Sequence, residues 1–169
     1  MTEIGLRVLQ LAWLMAPAYA ANMAPPFLRY WRGWNPPLQR RLFGAHKTVL
    51  GFAAGVLAAL AVARLQARVG WTHALVAPSE WAAAGLALGF GAMAGDAVKS
   101  FFKRRRGRPP GTPWPPFDQL DFVVGALLLV APRVELGAAD VALTLAATFV
   151  GDLLVNRAAF RLGIKDTPW

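Results

Sequence analysis

The feature that most restricts this chain is the alternation of long apolar blocks with short, strongly cationic connections. The runs at about residues 4–22, 48–65 and 80–102 each approach the ~20 residues that a helix needs to cross ~30 Å of hydrocarbon. Two further runs, at about 117–131 and 138–155, are short for a core of that thickness, and Pro132 between them points to a kinked or shallow span. In hydrocarbon every backbone amide must find its partner within the chain, so blocks of this length fold as helices. The expectation is an all-α, polytopic integral membrane protein, a single domain over residues 1–169, with five transmembrane helices.

Composition supports this reading through its distribution. Hydrophobic residues make up 56% of the chain and charged residues 16%, with a net charge of +9. In a soluble protein that charge would point to nucleic acid. Here the cations collect at the ends of apolar blocks, where membrane lipid headgroups or an anionic substrate are the fitting partners, and no nucleic acid is expected. The lack of Cys excludes disulfides and thiolate chemistry, and two isolated His residues argue against zinc. His73 reads as a surface residue.

Arg7 followed by an apolar run and Ala18-Tyr19-Ala20 also fits a signal peptide, but the membrane-like remainder favours a first spanning helix, ended by Pro25-Pro26. Phe27, Tyr30, Trp31 and Trp34 suit a segment lying at headgroup depth. Gly51 and Gly55, then Gly85, Gly89, Gly91 and Gly95, would let helix backbones approach closely. The loops at 24–46 and 103–117 and the tail at 156–169 carry far more Lys and Arg than the connections at 66–79 and 132–137. The positive-inside rule therefore puts the N-terminus outside and the C-terminus in the cytoplasm, across a bacterial or archaeal cytoplasmic membrane.

One stretch carries chemistry. The third apolar run leaves the membrane through Asp96, Lys99, Ser100, Lys103 and Arg104, and the next begins with Asp118 and Asp121. On a helix, Asp96 shares a face with Lys99, Ser100 and Lys103, while Asp118 and Asp121 fall near a helix N-terminus, where carboxylates are tolerated. Ionisable groups at a membrane boundary are expensive unless they are used. Three acids without Cys or His favour Mg²⁺, and cations beside them suit a nucleoside triphosphate and a second phosphorylated substrate. The plain alternative pairs Asp96 with Lys99 or Lys103, makes Asp118 a helix cap, and treats the Arg run as a topology signal. A transporter or channel is a third reading.

The pattern Asp96-x-x-Lys99-Ser100-Phe101-x-Lys103-Arg104-Arg105-x-Gly107, followed by Asp118-Gln119-Leu120-Asp121-Phe122, resembles the signature of CDP-archaeol synthase, the archaeal membrane cytidylyltransferase, and of its bacterial relatives. It is more distantly similar to the two-aspartate ending of phosphatidate cytidylyltransferases. The resemblance extends to Pro17-Ala18-Tyr19-x-Ala21-Asn22, to Gly44-x-x-Lys47-Thr48-x-x-Gly51, and to Asn156 with Leu162-Gly163-Ile164-Lys165-x-x-Pro168-Trp169. It implies a Mg²⁺-dependent attack of a lipid phosphate on the α-phosphorus of CTP, giving a CDP-activated lipid and pyrophosphate.

Carried over to this sequence, the resemblance makes Asp96, Lys99, Asp118 and Asp121 the catalytic candidates, with the three acids as metal or triphosphate ligands. Lys47, Lys99, Lys103 and Arg104 become phosphate-binding candidates. Asn22, Thr48 and Ser100 stand on the substrate side, and a groove between helices would hold the lipid chains. Several positions depart from the family's pattern. Ala45 and His46 stand where Asp and Gly are usual, Leu50 where an Arg is expected, and Asn35-Pro36-Pro37 with Gln39-Arg40 where the first loop commonly carries an Asp and a Gly-Lys. Asp152 lies near where a His often precedes Asn156. These departures leave two alternatives: a noncatalytic or transport protein that binds lipid phosphate or another anion, and the same fold acting with a different nucleotide or phosphorylated alcohol. A homo-oligomer is compatible with each.

Overall fold

The computed structural model describes residues 2–109 and 112–163. The Ile164–Trp169 part of the tail motif and the side chain of Tyr30 lie outside the described residues. Among the described residues six α-helices follow in order: α1 Glu3–Met23, α2 Arg40–Phe43, α3 Val49–Val69, α4 Trp81–Arg105, α5 Phe117–Val130 and α6 Ala138–Arg161. Among the described residues the β-structure amounts to an isolated bridge between Pro37 and Thr48.

Local chemistry sets the helix ends. Thr2 Oγ1 accepts the Gly5 amide at 3.2 Å and Thr48 Oγ1 accepts the Gly51 amide at 3.1 Å, so each caps a helix start. Gly70, at φ 63°, closes α3 in the left-handed conformation that glycine adopts without a Cβ clash. Pro17 inside α1 has no N–H for the Trp13 carbonyl; Gln66 of α3 donates to that oxygen instead, at 2.6 Å.

Among the described residues four helical stretches are long and apolar enough to cross a membrane: Glu3–Leu28, Val49–Val69, Pro78–Arg105 and Ala138–Ala158. α5, expected as the fourth span, has 14 residues, about 21 Å at ~1.5 Å per residue, and is not one of these four. Two details of the expectation change. Pro132 sits in a 3₁₀ turn, Ala131–Arg133, between α5 and α6 rather than inside a span, and α6 has 24 residues instead of stopping near residue 155. The reason is local: Pro132 starts the turn, and the Gly137 amide, bonded to Asp140 Oδ2 at 3.0 Å, opens a fresh helix.

The core is built from Leu14, Met15, Ala18 and Ala21 of α1, Ala59 of α3, Leu88, Ala92 and Met93 of α4, and Phe122, Val123, Ala126 and Val130 of α5. Large apolar side chains such as Leu57, Leu65, Leu86, Leu128, Val150 and Leu154 point outward, as hydrocarbon solvent permits. The α4–α5 contact is the closest of the bundle. A Cβ on Gly95 would run into the Asp121 carbonyl, and one on Gly125 into the Gly91 carbonyl, so these two helices touch backbone to backbone.

Contacts define two ends. At one, Arg7 forms a two-pronged ion pair with Asp140, at 2.9 and 2.6 Å, and reaches the Glu135 carbonyl at 3.3 Å. There Gln10 also donates to the His73 carbonyl at 2.7 Å. The opposite end carries residues 24–48, 106–109 and 112–116, and that is where Asp96, Asp118 and Asp121 gather.

Candidate functional site

α4 and α5 bring the acids together because they run antiparallel with Gly95 against Asp121. Lys99, one turn past Asp96, then faces the first turn of α5. Its Nζ lies 3.2 Å from Asp96 Oδ1, 3.2 Å from Asp118 Oδ1 and 2.7 Å from Asp121 Oδ2. Lys103, a further turn along, meets Asp118 at 2.6 Å and donates to the Thr112 carbonyl at 2.8 Å. Lys47 comes from the other side and pairs with Asp96 Oδ2.

Backbone amides hold the carboxylates further. Trp114 N–H donates to Asp118 Oδ2 and Phe122 N–H to Asp121 Oδ1, both at 2.6 Å. The Asp121 side chain is 5% exposed and that of Lys47 28%, so the cluster deepens from Lys47 towards Asp121. The plain pairing scheme is thus altered: Asp96 pairs with Lys99 and Lys47, whereas Lys103 pairs with Asp118. Pro116, not Asp118, is the residue that precedes α5, and Asp118 lies within its first turn.

The remaining candidates are placed less uniformly. Asn22, at the exposed end of α1, and Thr48 line a polar pocket with Lys47 and Asp96. Thr48 also caps α3. The Ser100 hydroxyl is buried and donates to the Asp96 carbonyl at 2.9 Å, within its own helix and away from the carboxylates. Arg104 is half-buried with its Nε enclosed and without a hydrogen-bond partner, and it makes no ion pair with the three acids.

Two openings flank the cluster. An apolar groove of about 680 Å³ runs between α4 and α5, walled by Phe90, Val98, Phe102, Leu120, Val124 and Leu128, with Lys99 and Asp121 in its lining. A polar pocket of about 600 Å³ lies on the other side, between Asn22, Trp31, Asn35, His46, Lys47, Thr48 and Asp96. Asp96 and Lys99 touch each other, so the pocket and the groove meet at one ion pair.

Oxygen-only donors suit a hard divalent cation. Asp118 Oδ1 and Asp121 Oδ2 are buried, lie against ammonium groups, and accept no directed hydrogen bond, which leaves lone pairs for a ligand. Among the described residues no three acids or His form a common metal cage. The donor set therefore fits an ion held by one or two carboxylates and completed by phosphate oxygens and water, the usual manner of Mg²⁺.

Trp31, marked in the sequence as a headgroup-depth aromatic, and Asn35 and His46, marked as departures from the family pattern, line the pocket as well. They reach the pocket because the loop folds back on itself: Leu38 N–H donates to the Lys47 carbonyl at 2.7 Å and Val49 N–H to the Pro36 carbonyl at 3.0 Å. Asn35 Oδ1 then accepts the Leu50 amide at 3.2 Å. Asn followed by two prolines is the local signal for a turn, but it does not reveal the partner strand.

The family model described as CarS-like, CDP-archaeol synthase, matches residues 4–169. The CDP-archaeol synthase of Halobacterium salinarum is 40% identical over 174 aligned residues, covering 93% of this chain and 94% of the relative. That of Methanopyrus kandleri is also 40% identical, with 93% and 91% covered, and that of Haloarcula marismortui is 38% identical, with 93% and 94% covered. A solved intramembrane enzyme for archaeal membrane lipid biosynthesis superposes with a TM-score of 0.75 at 32% identity, covering 88% of this chain and 93% of that one.

Proposed function

The chain belongs to the CDP-archaeol synthase family, and from that premise we propose that it transfers the cytidylyl group of CTP to a lipid phosphate inside the membrane. An oxygen of the lipid phosphate attacks the α-phosphorus; the bond to the β-phosphate oxygen breaks and pyrophosphate leaves. The observation that carries this reading is the meeting of two unlike openings at Asp96 and Lys99, 3.2 Å apart. The apolar groove offers a path for a lipid, and the polar pocket has the amides, hydroxyl and cation that a nucleotide needs.

The residues divide the work by position. Lys47, at the pocket's inner wall, is placed to take a phosphate oxygen in exchange for Asp96. Lys99 faces the groove and would meet both phosphoryl groups, offsetting the charge that grows between them. Asp118 and Asp121 would hold Mg²⁺, which when bound supplies further neutralisation of phosphoryl oxygens. A lipid phosphate is ionised near neutral pH, so orientation by these groups, rather than a serine or histidine nucleophile, is the main demand. The groove holds the chains out of water and brings the headgroup to the helix ends.

The cationic loops support five crossings, with α5 as a short one, the N-terminus outside and the site on the cytoplasmic side. The direct test is pyrophosphate release by the purified protein in lipid nanodiscs. Release should require CTP, Mg²⁺ and a lipid phosphate together. Binding of these ligands without turnover would favour a noncatalytic anion binder, and turnover with another nucleotide would keep the chemistry while changing the substrate.

A further inference from the structure

The groove ends, at the site's side of the membrane, in a cation–aromatic arrangement that the ion cluster leaves unused. Arg106 follows the last turn of α4 and lies on the side of that helix that carries Lys99 and Phe102. Its guanidinium carbon sits 5.2 Å from the centre of the Trp114 ring, and that of Arg108 sits 5.3 Å away. Arg108 is committed to the loop, since it donates to the Pro113 carbonyl at 3.2 Å. Lys99 and Lys103 are committed to carboxylates. Arg106 is exposed, lines the groove, and makes no ion pair among the described residues.

Trp114 is fixed from two sides. Its backbone N–H is bonded to Asp118 Oδ2 at 2.6 Å, and its ring packs on Phe117 with centroids 4.6 Å apart. A guanidinium held over an indole by cation–π attraction spends no hydrogen bond on it, so its N–H groups remain for two phosphate oxygens at once. Directly below lie the apolar walls, so an anionic headgroup and its chains would both be met at this point. Seven residues separate Arg106 from Lys99, about 10 Å along a helix, which is within a side-chain swing of an Arg and a Lys.

We infer that Arg106, held across the Trp114 ring, is the substrate-binding residue that captures the phosphate monoester of the lipid at the groove mouth and presents it to Lys99. This rests on the transfer reading above and adds to it the residue that selects a phosphorylated over an unphosphorylated lipid. Trp114 fixes the reach of that guanidinium and links it through Asp118 to the reacting centre. Lys at position 106 would keep the charge but lose the planar, two-pronged contact.

The test uses the full chain in nanodiscs made only of zwitterionic lipid, with initial rates measured against lipid phosphate and against CTP separately. Arg106→Ala should raise KM for the lipid phosphate about tenfold, with KM for CTP unchanged and kcat within about threefold. Arg106→Lys should recover part of that loss, Trp114→Phe most of the wild-type KM, and Trp114→Ala should behave like Arg106→Ala. Arg64→Ala, which removes a similar stack 5.1 Å over Trp81 at the far end of the bundle, should change neither KM. An unchanged lipid KM, or a CTP KM that rises in step with it, would overturn the inference. So would an effect seen only in discs containing anionic phosphodiester lipids, because Arg106 would then be reading the bilayer.

Should the wild-type protein release no pyrophosphate, the transfer reading fails by itself, and the capture site is judged by binding. A long-chain alkyl phosphate should then stabilise the wild-type protein more than the matching alcohol, and that preference should vanish in Arg106→Ala. Equal stabilisation of the wild type by both compounds would overturn the capture site.

Discussion

Lys99 Nζ lies 2.7 Å from Asp121 Oδ2, and this contact ties the C-terminal third of the site-bearing helix α4 to the second turn of α5. Because Asp121 is 5% exposed, its charge depends on that ammonium more than on water. Lys99→Ala should therefore lower stability by about 3–5 kcal/mol, the usual consequence of stranding one side of a buried pair. Turnover should drop at least about 100-fold. Lys99→Arg should restore much of the stability and little of the rate, since the planar guanidinium cannot meet three carboxylates as a point charge does. Unfolding in detergent, read beside pyrophosphate release, checks both; a Lys99→Ala protein that melts like wild type would remove the structural half of the claim.

Asp118→Asn and Asp121→Asn change charge with little change of shape. Each should reduce turnover by about 10²–10³-fold while the chain remains folded, because Lys99 keeps two of its three acid contacts. Asp96→Asn should weigh more on the nucleotide side, raising KM for CTP, since Asp96 is the acid that lines the polar pocket. Equal effects of all three on KM for CTP would contradict that division.

Filling the groove should separate the substrates. Leu128 is 68% and Val124 42% exposed, so a larger ring at either position has space outward from the core. Leu128→Trp and Val124→Trp should raise KM for the lipid phosphate several-fold, leave KM for CTP in place, and keep the melting temperature within a few degrees. A rise confined to CTP would place the lipid elsewhere.

Gly95→Ala and Gly125→Ala insert a methyl group where the α4 and α5 backbones touch. The helices must part, at a cost of about 1–3 kcal/mol. Activity should fall as well, although no charge has been altered, because Lys99 and Asp121 face each other across that contact. Thermal unfolding and turnover together test this, and wild-type behaviour in both variants would argue against a fixed α4–α5 register.

The chain has no Cys, so single cysteines report topology without background. Thr72→Cys and Arg108→Cys should react with an impermeant thiol reagent from opposite faces of sealed vesicles. Labelling of both from one face would break the five-span arrangement and move the site away from cytosolic nucleotide.

Much of the fold was legible in the order of residues, for reasons specific to a lipid solvent. Long apolar runs had to become helices, and local chemistry marked their ends, as Thr48 and Gly70 do for α3. The i, i+3 spacing of Asp96 and Lys99 foretold their contact. The meeting of Asp118 and Asp121 with the bases of α4 was legible too, but the partners supplied by more distant segments were not. Lys47 pairs with Asp96 only because the Pro37–Thr48 bridge folds the first loop back over α4. Lys103 was expected near Asp96 on helical spacing, but its length lets it reach across to Asp118. Arg7 and Asp140, 133 positions apart, and Gln66 beneath the Pro17 break answer needs of burial that no local pattern displays.

Three carboxylates, those of Asp96, Asp118 and Asp121, close against three ammonium groups, those of Lys47, Lys99 and Lys103. A triphosphate arriving as its metal salt would not fill an open positive hole; it would work as a counter-ion exchanger, giving its cation to the acids and taking the ammonium groups in return. Each ion would then keep a counter-ion through the cycle. The parts that must move are three flexible lysine stems, while the glycine-locked backbones beneath them stay in place.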